Sequence, residues 1–159
     1  RPAPSRAAGL LHGYAQVARF FPGVKAELAA LEERLFRRIE PEGSRGRGHI
    51  FEDQYASTAG QLHEMMMGRD RFIADLRPLF RARARAAGLE RLICCHPYDI
   101  CTALVARECG VIVEKPGGGE LDAPLDVATD VAWAAYANER IREQVAPVLA
   151  ELVGELGEG

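Results

Sequence analysis

Short apolar runs alternate with segments whose apolar residues recur every three or four positions, and this alternation restricts the fold more than any other feature of the chain. Phe72-Ile73-Ala74 reads as a buried strand, and a second apolar run, Leu92-Ile93-Cys94, leads into a helix beginning at Asp99. That helix stops at Gly110, and Val111-Ile112-Val113 and Val131–Ala137 read as further strands. A run of this length cannot bury both its faces alone, so the alternation predicts a layered α/β sheet with helices packed on it.

The helical segments are defined by their stripes. Val24, Leu28, Leu31, Leu35 and Ile39 place one apolar face on a helix between Pro22-Gly23 and Pro41. Glu27 in its first turns and Arg37 and Arg38 in its last suit the helix dipole, and Glu33 to Arg37 is an i,i+4 pair. Thr58 and Gln61 have the spacing of a capping box, followed by Tyr55, Ala59, Leu62 and Met66 on one face and a stop at Gly68. Ile141, Val145, Leu149 and Leu152 form the stripe of a closing helix capped by Asn138, which Pro147 should bend or shorten. Residues 10–21 fit either a strand or a short helix, and Glu42–Gly48 has the glycines and polarity of a flexible loop.

At 159 residues, 48% hydrophobic and 27% charged, the chain can bury one core and should fold as a single α/β domain, 1–159. A net charge of -3 gives no reason to propose nucleic acid or a membrane as a partner. No apolar run approaches the roughly 20 residues of a membrane span. Cys94, Cys95, Cys101 and Cys109 are too crowded for a disulfide framework, which favours reduced thiols and a cytoplasmic location. The absence of an initiating methionine before Arg1 fits a fragment or a processed chain.

Pro97 biases His96 away from helix, so the chain must turn sharply before Asp99. A carboxylate there can cap the helix or coordinate a hard cation, and spacing leaves both open. Cys94, Cys95, His96 and Cys101 lack the Cys-x-x-Cys spacing of zinc sites, and Cys95 beside His96 is better explained by packing than by a nucleophile and its base. Asp122, Asp126 and Asp130 fit a solvated loop, and His12, His49 and His63 have no ligand spacing. The arginines at 77, 81, 83, 85 and 91 fit either a solvated face or a contact with phosphate oxygens.

The segment Pro97-Tyr98-Asp99-Ile100-Cys101-Thr102-Ala103 through Glu108-Cys109-Gly110-Val111, with the turn Pro116–Leu121, resembles the C-terminal signature of the inositol monophosphatase-like superfamily. That superfamily includes sugar phosphatases and fructose bisphosphatases. Ala56-Ser57-Thr58-Ala59, Ala74-Asp75-Leu76 and Val131–Tyr136 with Asn138 extend the resemblance over residues 50–153, while 1–49 match loosely. The resemblance implies the C-terminal part of a Mg2+-dependent phosphomonoesterase of an inositol or sugar phosphate. Asp99 would be its metal ligand and catalytic residue, with Ser57, Thr58 and Asp75 lining the sugar side.

The superfamily's Asp-Pro-Ile-Asp-Gly-Thr loop and upstream glutamate do not occur in these residues. The metal site would therefore need an N-terminal half or partner chain, and the segment alone should be inactive. The alternative is a non-catalytic module on the same fold that binds a partner or self-associates.

Overall fold

The computed structural model describes residues 1–41 and 49–157, so the expected loop at 42–48 lies outside the described residues. In chain order the elements are β1 (Gly13–Val17), α1 (Lys25–Ile39), β2 (Ile50–Phe51), α2 (Thr58–Met66) and β3 (Asp70–Asp75). A 3₁₀ turn (Arg77–Phe80) then leads to α3 (Arg81–Ala86), α4 (Pro97–Ile100), α5 (Ala103–Glu108), β4 (Ile112–Glu114), β5 (Trp133–Tyr136) and α6 (Glu139–Gly157).

The strands form one mixed sheet in the order β2-β1-β3-β5-β4. β1 pairs in parallel with β2 and β3, while β5 pairs antiparallel with β3 and β4. Every residue of β5 is buried, and so is all of β3 except Arg71, as a sheet covered on both faces requires. The undecided stretch at 10–21 thus contains a strand, β1.

α1 packs against α6 and β1, and α2 packs on β3 beside α4 and α5. The predicted stripes face inward: Leu28, Leu31 and Leu35 of α1 and Ile141, Val145, Leu149 and Leu152 of α6 are buried. Phe72 sits between the ring of Phe36, 6.5 Å away and edge-on, and that of Tyr136, at 5.5 Å. Among the three methionines of α2 and its end, Met65 is fully buried and Met67 is exposed. The Glu33–Arg37 pair is present at 3.8 Å.

Several local expectations are corrected. Residues 92–94 form no strand: β3 has β1 on one side and β5 on the other, so both places beside the central strand are taken. The run is held by Arg77 Nη1 donating to Ile93 O, and just after it Val131 N–H donates to Cys95 O. The helix after Asp99 is interrupted: α4 ends at Ile100, and α5 begins at Ala103, with Cys101 and Thr102 between them. The cap of α2 is Ser57 rather than Thr58, with its hydroxyl accepting from Gly60 N–H at 3.0 Å. Asn138 does cap α6, accepting from Ile141 N–H, but the helix runs on through Pro147 for 19 residues.

Two buried carboxylates set the pH response of the fold. Glu32 on α1 accepts from Val17 N–H at the end of β1 and from Arg19. Burial pushes its pKa up to about 7, against the opposing pull of those hydrogen bonds. Asp70, fully buried at the start of β3, is also raised to about 7, first by burial and then by the charges of Asp53 and Glu64. Both groups hold protons in the native state that the unfolded chain releases near pH 4. Their contribution is full below that pH and is lost as pH rises through about 7. The urea midpoint should therefore be higher at pH 5 than at pH 8, and Asp70→Asn should shrink the difference. A midpoint that rises with pH across this window would contradict the assignment.

Candidate functional site

Two chain turns bring the expected residues together. Ser57 is extended (φ -153°) and opens α2, and His96, extended because Pro97 follows it, opens α4. Ser57, Thr58, His96, Tyr98 and Asp99 then line a single cavity of about 190 Å3, closed by Phe20, Phe21, Arg77, Cys94 and Cys95. Ser57 is exposed at its mouth, whereas Thr58 is buried with its hydroxyl toward the Cys95 thiol.

Asp99 stands at the rim with its side chain 35% exposed. Its Oδ2 accepts from His96 N–H at 2.9 Å, so the capping role is realised through that one oxygen. The His96 ring stacks on Tyr98, with 5.4 Å between centroids and an interplanar angle of 6°. Its Nδ1 is 3.5 Å from Asp99 Oδ2, and its Nε2 is 3.7 Å from Asp130 Oδ1. Asp130 in turn is paired with Arg81. The imidazole thus spans two carboxylates.

Asp75 does not reach the cavity wall. It is fully buried at the end of β3, where its carboxylate accepts from Arg77 Nε at 2.8 Å, from Arg77 Nη2 and from Arg77 N–H. Arg77 forms part of the wall instead, with Nη1 donating to Ile93 O at 2.8 Å and the Phe20 ring 4.7 Å from its guanidinium carbon. Burial pulls the Arg77 pKa down, but its bonds to Asp75 and the charge there more than reverse this. The buried pair is closely matched, and its fork geometry fixes the floor of the site.

The thiols lining the cavity are poor nucleophiles. Burial pushes Cys94 up to about 11 and Cys95 up to about 12, and nearby carboxylates add to the rise. Both remain protonated at neutral pH, which fits packing rather than chemistry.

The donor set does not fit a resident magnesium ion. Magnesium demands near-octahedral oxygen ligation and is usually anchored by carboxylates. Asp99 is the sole carboxylate lining this cavity among the described residues, and one of its oxygens is engaged at His96. No group of three or more His, Cys, Asp or Glu side chains among the described residues is arranged to hold a metal.

This sheet and its helices match a solved structure. A Thermotoga maritima IMPase (inositol monophosphatase) aligns with a TM-score of 0.57 at 21% identity, over 99% of this chain and 48% of that one. The fold is IMPase-like. The chain spans about half the length of that protein. No family model matches the sequence, and no curated protein matches it. No helix among the described residues is long and apolar enough to cross a membrane.

Arg77 and His96 line the cavity without being among the site residues that the resemblance implies. Arg77 belongs to the arginines that fit a solvated face or a phosphate contact, although its position two residues after an aspartate that ends an apolar run carries the signal of a local ion pair. His96 could have been reached from the turn at Pro97, which aims its side chain at the same space as Asp99.

Proposed function

We propose that this chain is the C-terminal part of a magnesium-dependent phosphomonoesterase acting on an inositol or sugar phosphate in the cytoplasm. Its metal-binding carboxylates would come mainly from an N-terminal half or a partner chain. The observation that carries this reading is the convergence of Ser57, Thr58 and Asp99, from two separate turns, on one cavity in an IMPase-like fold.

Each residue of this chain has a definable task. Ser57, exposed at the mouth, can donate a hydrogen bond to a polyol hydroxyl while its oxygen caps α2. Thr58, deeper, shapes the wall. Asp99 offers a carboxylate oxygen at the rim for orienting a water or completing a metal site built elsewhere. Asp75 acts by positioning Arg77 instead of touching the sugar.

The incomplete donor set favours a second reading, a non-catalytic module on the same fold that binds a partner or self-associates. One experiment separates them. Phosphate release from inositol phosphate and sugar phosphates is measured with magnesium for the chain joined to the sequence that flanks it in its natural protein, and for Asp99→Asn in the same context. The phosphatase reading expects turnover by the joined protein and a fall of about 10²- to 10⁴-fold in the variant. Equal rates would remove Asp99 from the mechanism, and no turnover on any of these esters would leave the binding module.

A further inference from the structure

The basic segment after β3 builds a second concavity. Arg81 and Arg85, four residues apart on α3, line the same cleft of about 470 Å3. Gly88, at φ +83°, lets the chain reverse after α3, so that Arg91 returns to that cleft over a floor formed by Leu89 and Leu92. Arg83 is directed elsewhere, with its guanidinium over the Phe80 ring at 5.5 Å. The cleft's volume lies within the roughly 300–1,000 Å3 range of small-molecule pockets.

The charges in this cleft are not balanced. Arg81 is paired with Asp130, and Glu90 contributes one carboxylate to the wall. Arg85 and Arg91 have no ion-pair partner among the described residues. A phosphate would supply the anion that these two side chains lack and would match the planar donor forks of both guanidiniums. The cleft adjoins the Asp99 cavity through His96 and Ile93, which line both, yet neither Arg85 nor Arg91 reaches that cavity.

We propose that this cleft binds a phosphate-bearing small molecule, with Arg85 and Arg91 holding the anionic group and Arg81 shared between the ligand and Asp130. The assignment stands apart from the phosphatase reading, because it requires neither a metal nor turnover at Asp99.

Calorimetric titration of the chain with pyrophosphate, at physiological ionic strength and without divalent cations, tests it. Saturable binding is expected, weakened about tenfold or more in the Arg85→Ala/Arg91→Ala double variant and retained in Arg83→Ala. All three side chains are exposed, so none of these substitutions opens the core. Binding is read without turnover or metal, so a failed phosphatase assay leaves this result intact. Absence of saturable binding would overturn the site, as would an equal loss in Arg83→Ala, which would reduce the effect to general positive charge.

Discussion

Asp75→Ala should destabilise the chain by about 3–5 kcal/mol, because it strips the buried Arg77 guanidinium of its counter-charge. Arg77 has 3% of its surface exposed, and three of its N–H groups, counting the backbone, are directed at Asp75. Without that carboxylate the guanidinium keeps the Ile93 carbonyl and the Phe20 and Phe21 rings, which cannot replace an anion. The cost arises from the orphaned charge more than from the lost contact. The double variant Asp75→Leu/Arg77→Met should therefore recover much of the loss. Urea unfolding of the parent and both variants measures this; a loss under about 1 kcal/mol for Asp75→Ala would mean that water reaches the guanidinium.

The other large effect is expected at Phe72. Its side chain is fully buried in the central strand and meets Phe36 on α1 and Tyr136 on β5. Truncation to alanine removes the ring that joins a helix to two strands and leaves a cavity that close-packed neighbours fill only in part. A loss of about 3–5 kcal/mol follows. Against a typical total of about 5–15 kcal/mol, this is a substantial fraction. Phe72→Leu, which keeps much of the volume, should lose clearly less by the same measurement; equal losses would point to a specific demand for the aromatic ring.

The helices were legible wherever one face repeated over several turns. Val24–Ile39 and Ile141–Leu152 advertise their inward faces, and both stripes are buried in α1 and α6. Pro147 misled because a proline removes one backbone donor locally, while the packed stripe around it, Val145 and Leu149, continues to hold the helix. Leu92–Cys94 was unreadable for a different reason. The run is buried only at Leu92 and Cys94, with Ile93 exposed between them, and membership of a sheet depends on which strands already flank its centre, which is settled by residues far away in sequence.

The candidate site divides along the same line. Asp99, Ser57 and Thr58 carry local turn chemistry, and the cavity unites them. Asp75 has a short polar side chain at a strand end, a pattern equally suited to touching a ligand or gripping a neighbour. The partner two residues on decides between them, and a basic run disguised it. Arg85 and Arg91 are separated by a glycine reversal, so their shared cleft depends on one backbone angle that composition does not convey.

The first eleven residues form no helix or strand, yet they are stitched to the far end of the chain. Asn138 donates to the carbonyls of Ser5 and Ala7, Gln144 donates to Ala8, and Arg71 grips Gly9 and Leu11. Strand β3 likewise needs β1 on one side and the late strand β5 on the other. During synthesis on the ribosome, when nothing beyond α5 has emerged, the central strand has one bare edge and residues 1–11 lack the anchors that Asn138 and Gln144 supply. Such a nascent chain should remain open to chaperones and proteases until residues beyond 136 have cleared the exit tunnel.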